Sequence, residues 1–197
     1  MMEKNIEIEF KNILTKAEYI ELLNHFQVKE TELFKQENHY FDTKNFELKE
    51  RSSALRIRKK QSGYELTLKQ PCDDGLLETN KQLTAEAGEE MIQTGKINDP
   101  QFASILEEMG IAPESIVYFG SLSTIRAEKE TGNGLLVFDH SFYLNIEDYE
   151  LEYEVSDRKE GQVYFQELLH SFQIPIRETK NKVRRFYEQK YRNDINS

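Results

Sequence analysis

Cysteine occurs once, at Cys72, and tryptophan not at all. A single thiol excludes an intrachain disulfide and a zinc site built from several cysteines, and it points to a reduced, cytoplasmic setting. The four histidines lack metal-ligand spacing. Prolines number four and glycines nine, and no Pro-Gly-Ser linker, repeat or low-complexity tract interrupts the chain. A Gly-rich phosphate loop is also missing, which excludes the nucleotide-kinase way of holding phosphate. No apolar run approaches the ~20 residues that span a bilayer, and nothing resembles a signal peptide; no membrane partner is expected. Cations are in deficit, 26 Lys and Arg against 36 Asp and Glu, for a net charge of −10. A diffuse basic surface for nucleic acid is therefore excluded. A polyanion bound by such a chain has to meet cations gathered in one place, with metal ions to help.

What is present is alternation. Hydrophobic residues make up 38% of 197, enough for the core of one domain spanning 1–197. Residues 4–11 alternate as a strand. Thr15 to Phe26 reads as a helix, with Thr15 as N-cap and Glu18 completing a capping box. Residues 29–42 read as extended, and 43–51 as a short helix or loop. Two strands, 54–60 and 64–69, flank a Ser62-Gly63 turn, and 76–83 adds another. Residues 84–109 read as helices broken near Asn98-Asp99-Pro100. Strands 115–130, 135–145 and 149–155 follow, the first pair joined by Gly132-Asn133-Gly134. A helix over 161–172 and a basic helical tail over 180–191 close the chain. The fold class is α+β and antiparallel, as an open sheet or a closed barrel.

Side chains on a strand point alternately to opposite faces. Glu7, Glu9 and Lys11 thus share one face, and Ile6, Ile8 and Phe10 the apolar other. Arg56 and Arg58 sit opposite Leu55 and Ile57. Thr67 and Lys69 oppose Leu66 and Leu68. Glu150, Glu152 and Glu154 oppose Leu151, Tyr153 and Val155. An ordinary sheet that is half solvated intersperses its charges, whereas here acidic sets and basic pairs stand apart. With polar faces turned inward, a closed barrel has a lumen of separated carboxylate and cation clusters, and apolar faces packed outward on helices. Two carboxylates about 7 Å apart on one strand suit a hard divalent cation, and a neighbouring lysine suits an anion.

The order of these elements resembles the CYTH superfamily, the triphosphate tunnel metalloenzymes. Glu7-x-Glu9-x-Lys11 resembles its opening signature, and Tyr40-Phe41-Asp42-Thr43 its extended segment after the first helix. Leu55-Arg56-Ile57-Arg58 is similar to its paired-arginine strand and Leu66-Thr67-Leu68-Lys69 to its lysine strand. Arg126, Asp139 and Glu150-Leu151-Glu152 fall where the family has an arginine, an acidic residue and an E-x-E pair. Asn181-Lys182 resembles its C-terminal Ser-Lys element.

The resemblance implies a closed antiparallel β-barrel tunnel and a metal-dependent triphosphatase acting on tripolyphosphate or a small organic triphosphate. Glu7, Glu9, Lys11, Arg56 and Arg58 would be catalytic. Lys11, Arg56, Arg58, Lys69, Arg126 and Lys182 would hold the substrate. Glu7, Glu9, Asp139, Glu150 and Glu152 would hold Mg2+ or Mn2+. Lys180 competes with Lys182, and Glu154 with Glu150 and Glu152. A class IV-like adenylate cyclase and a non-catalytic polyphosphate- or nucleotide-binding module are the alternative functions. His39, Cys72 and the Asp73-Asp74 loop are read as structural or solvated.

Overall fold

The computed structural model describes residues 2–132 and 134–195, with side chains as far as Tyr191. Asn133, in the expected turn, lies outside the described residues. Eight strands hydrogen-bond in the order β1-β5-β4-β3-β2-β6-β7-β8 and close into an antiparallel barrel flanked by helices. They are β1 (Met2–Leu14), β2 (Phe34–Thr43), β3 (Ala54–Lys60), β4 (Gly63–Cys72), β5 (Gly75–Leu83), β6 (Ile116–Thr131), β7 (Gly134–Tyr143) and β8 (Ile146–Val155). The helices are α1 (Lys16–His25), α2 (Glu47–Glu50), α3 (Ala85–Thr94), α4 (Pro100–Glu108), α5 (Arg158–Ser171) and α6 (Lys182–Ile195). By its internal contacts the chain divides into two compact units, residues 2–6 with 37–122 and residues 7–36 with 123–195.

In the first unit the apolar faces of β2, β3 and β4 supply Phe41, Leu55, Ile57, Tyr64, Leu66 and Leu68. Leu48 of α2, Met91 of α3, and Phe102 and Leu106 of α4 close over them. Asp99 caps α4, accepting from the amides of Gln101 and Phe102, with Pro100 at the first helical turn. Gly88 lets α3 lie flat on the sheet: a Cβ there would stand 2.5 Å from the Tyr64 ring. The buried Asp42 carboxylate accepts from the amides of Thr43, Leu48 and Lys49 at 2.7, 2.9 and 3.1 Å. The Tyr40–Thr43 segment therefore ends in an anchor for α2.

In the second unit Leu14, Ala127, Leu136, Phe138, Leu151 and Tyr153 face Leu22 of α1 and Phe165, Leu168 and Leu169 of α5. The Thr15–Glu18 capping box forms as expected, and Glu18 also pairs with Arg177 at 2.8 and 2.9 Å. Phe10 stacks on Phe165 at 6.1 Å. Ile6, expected to pack beside Phe10, is instead 57% exposed, since the β1–β8 ladder begins only at Ile8. A second correction concerns 135–145. Here β7 stops at Tyr143, and Leu144 and Asn145 turn with φ of 46° and 67°, so β8 begins at Ile146. Two positive φ values match the strand twist of a two-residue hairpin; Asn145 signals this, but Leu144 hides it.

Candidate active site

The buried apolar strand residues pack on helices, and the charged residues alternate with them along the strands. In the first unit, register sets Arg56 opposite Thr67 and Arg58 opposite Glu65 on β3–β4. Lys69 is opposite Glu78 on β4–β5. Lys69 pairs with Glu78 at 2.7 Å and Arg56 reaches the same carboxylate at 3.7 Å. Arg58 Nε donates to Asn38 at 2.8 Å. Arg56 Nε is buried without a hydrogen-bond partner, an unused donor of the kind an anion satisfies.

Glu78 joins the site as a residue the sequence signals only weakly, through the alternation of Glu78 and Asn80 with Leu77 and Thr79 on a polar face of β5. Burial alone would push its carboxyl up, but Lys69 and Arg56, with hydrogen bonds from Lys69 and Asn80, bring it down to about 2. The folded-state value is depressed, so its stabilisation is present above an ordinary value of 4.5 and lost as pH falls toward 2. Glu78→Gln is expected to cost roughly 3 kcal/mol near neutral pH. The gap from the parent protein should narrow in acid. Urea titrations at about pH 7 and pH 3 check this, and equal gaps would exclude a charge effect.

The second unit carries the carboxylates. Lys11 is opposite Glu152, and Glu9 opposite Glu154, on β1–β8. Asp139 is opposite Arg126 on one side and Glu150 on the other. Asp139 and Glu150 are fully buried, and Glu152 nearly so. Arg126 grips Asp139 bidentately at 2.7 and 2.6 Å and reaches Glu152 at 3.1 Å. The Lys182 ammonium, from the start of α6, sits among all three carboxylates: Asp139 at 2.7, Glu152 at 2.6 and Glu150 at 3.3 Å. Lys180 points elsewhere, to Glu188 at 2.8 Å, so Lys182 is the lysine of this cluster. Glu154 is aligned with Glu9. Lys11 pairs with Glu9. Glu7 is half-buried two residues before Glu9 on the same face.

Burial penalises every charge here, and the neighbours decide the outcome. Arg126 and Lys182 outweigh burial at Asp139, whose carboxyl is lowered. Lys182, Arg126 and Lys11 do the same at Glu152, which falls well below the usual range. Burial, with help from Glu152, wins at Glu150, raised to about 7. The Lys182 and Arg126 cations are held up against burial by the same carboxylates.

The donors are all carboxylate oxygens, the chemistry a hard divalent cation takes, and they already gather round one positive charge. Among the described residues, no three His, Cys, Asp or Glu side chains stand in a ready metal cage, and ammonium and guanidinium groups occupy the carboxylates. His39 is buried and bonds Tyr118 at 3.3 Å; Cys72 is exposed. No helix among the described residues is long and apolar enough to cross a membrane.

The sequence matches the model of the CYTH domain over residues 5–187. It is 50% identical over 191 residues to "Putative triphosphatase YjbK" of Bacillus subtilis (strain 168), covering 96% of this chain and 98% of that one. Among solved structures, a putative adenylate cyclase from Bacillus halodurans superimposes with a TM-score of 0.90. Its identity is 40%, over 93% of this chain and 98% of that one. HpAC1 from Hippeastrum, a putative adenylyl cyclase described as having a dominant triphosphatase activity, is 22% identical with a TM-score of 0.77. It covers 93% of this chain and 96% of that one and bears on the fold alone.

Proposed function

The chain belongs to the CYTH domain family, and from that premise we propose that residues 1–197 form one CYTH domain that hydrolyses tripolyphosphate or a small organic triphosphate, using Mg2+ or Mn2+. The observation that carries this reading is the buried set Asp139, Glu150 and Glu152 around a cation. A module that only bound anions would gain nothing from burying three carboxylates. The half-identical Bacillus subtilis relative bears a triphosphatase name, which agrees.

Arg56 and Arg58 offer planar forks for phosphate oxygens, and Lys11, Lys69 and Lys182 offer point charges. Arg126 adds a third guanidinium. Glu7, Glu9, Asp139, Glu150 and Glu152 are the residues that would hold the metal, and Glu154 lies opposite Glu9 as a further carboxylate. When bound, the metal supplies neutralisation of phosphate charge and acidification of the attacking water. The water oxygen bonds to the terminal phosphorus and gives up a proton to bulk solvent as the bridging P–O bond breaks, and the bridging oxygen leaves with the electron pair. With tripolyphosphate the products are orthophosphate and pyrophosphate. No protein nucleophile is needed. The inorganic chain is favoured because it requires no aromatic stacking surface, and tryptophan is absent.

The name of the 40% identical Bacillus halodurans protein motivates a second reading, adenylate cyclase. Incubation with ATP separates the two: orthophosphate without cyclic AMP is expected, and cyclic AMP as the main product would replace the hydrolase reading. Glu7→Gln and Glu9→Gln are each expected to lower phosphate release from tripolyphosphate by at least about tenfold with Mg2+ or Mn2+. Unchanged turnover would remove the metal role of β1.

A further inference from the structure

We propose that Arg185 is a positioning residue for the reaction, pinning the Glu150 carboxylate through a relay that begins at Tyr143 and Asp148. The inference rests on the triphosphatase reading of the same carboxylate cluster and adds a residue and a support to it.

Lys182 is shared by three carboxylates, and not equally. Asp139 and Glu152 lie at 2.7 and 2.6 Å, but Glu150 at 3.3 Å. Asp139 and Glu152 also have Arg126, at 2.6 and 3.1 Å. Glu150 has Arg185 instead, whose Nη2 donates to Glu150 Oε2. Lys182 meets only Oε1 of Glu150, so Arg185 is the cation that fixes the other oxygen, Oε2. Arg185 is itself fixed. Nε and Nη2 donate to the two oxygens of Asp148 at 3.0 and 3.3 Å, and Nη1 donates to the Lys180 carbonyl. Asp148 in turn accepts from the Tyr143 hydroxyl at 2.6 Å. The Arg185 side chain is only 15% exposed.

A planar guanidinium can bridge two carboxylates at once; a lysine ammonium lacks that fork. Arg185 and Lys182 are three residues apart on α6 and so share a helix face. The C-terminal helix therefore meets the carboxylate cluster at two points. One is Lys182, among the charges, and the other is Arg185, which acts through Glu150.

The test compares the parent with Arg185→Met, Arg185→Lys, Glu150→Gln and the R185M/E150Q double variant. Arg184→Met, on the same helix but exposed, is the control. With Mn2+ and tripolyphosphate, R185M is expected to lower kcat about tenfold while KM stays within about twofold. R185K should recover only part, and R184M should match the parent. In the E150Q background R185M should add less than about twofold, because the group it positions is already gone. An equal effect in both backgrounds would overturn the proposal. So would a raised KM with kcat unmoved, which would make Arg185 a substrate contact. Asp148→Asn serves if R185M does not fold: the same loss of kcat, absent in the E150Q background, is expected, and parent-like kcat would overturn. Mn2+ calorimetry without substrate reads the same couplings even if tripolyphosphate is not turned over. R185M should weaken Mn2+ binding in the parent and not in E150Q, and equal affinities would sink the positioning role independently of the triphosphatase reading.

Discussion

Arg126→Met is expected to destabilise the protein by about 3–5 kcal/mol, the cost of leaving one member of a buried ion pair without its partner. Asp139 has no exposed surface, and Arg126 is its bidentate partner at 2.7 and 2.6 Å. Methionine fills much of the volume but offers no donor. Lys182, at 2.7 Å from Asp139, remains and keeps the charge from being wholly uncompensated. Glu152 loses a second contact, at 3.1 Å, so the damage spreads to β8. The double variant R126M/D139N should be less destabilised than R126M alone, because it removes the stranded charge with its partner. Urea unfolding followed by far-UV circular dichroism measures both. A loss below about 1 kcal/mol for R126M would mean that the pair is relaxed by water and contributes little.

That pair also shows how far the sequence alone could reach. Period-two alternation assigns Arg126 and Asp139 to polar faces, and the Gly132-Asn133-Gly134 signal marks a tight turn between them. Thr131 pairs with Gly134, and stepping back five residues along each strand puts Arg126 opposite Asp139. Short turns fix register, so the β6–β7 contact follows from local chemistry. The β7–β8 hairpin is less legible: a leucine with positive φ gives no turn signal, and a strand extended through Asn145 hides the four-residue step that sets Asp139 opposite Glu150. Glu78 is hidden for a related reason. Its role appears only when β5 is aligned on β4 and its carboxylate meets Lys69. Hardest was the tail. Choosing Lys182 over Lys180, and giving Arg185 a partner in Glu150, depends on how α6 docks on β8, through contacts 30 and 35 residues apart in sequence. No periodicity within the tail encodes that distance. Ile6 failed in the other direction, because an apolar residue in an alternating strand marks a face but does not guarantee that anything covers it.

Glu152→Gln is expected to lower kcat/KM for tripolyphosphate by about 10²–10³-fold, the range seen when a preorganised electrostatic contact at a reaction centre is removed. Of the three carboxylates around Lys182, Glu152 makes the shortest contact, 2.6 Å, and it also meets Arg126 at 3.1 Å. It stands opposite Lys11 across the β1–β8 ladder. One carboxylate thus organises three cations that the proposed reaction needs for phosphate. An amide keeps the shape and can still accept a hydrogen bond, but it carries no charge. Removing that charge has two consequences of the same sign. The carboxylate set loses a donor for the metal, and the cations lose the counter-charge that holds their side chains in place against mutual repulsion. Glutamine preserves volume, so the backbone ladder should persist. A far-UV spectrum like that of the parent would confirm that any loss is chemical rather than structural. Steady-state phosphate release across Mn2+ and tripolyphosphate concentrations separates the two consequences. A deficit recovered by excess Mn2+ belongs to metal affinity, and a kcat deficit that persists at saturation belongs to the disordered cations. A variant within about threefold of the parent under all conditions would take Glu152 out of the reaction and leave it a structural counter-ion for Lys182 and Arg126.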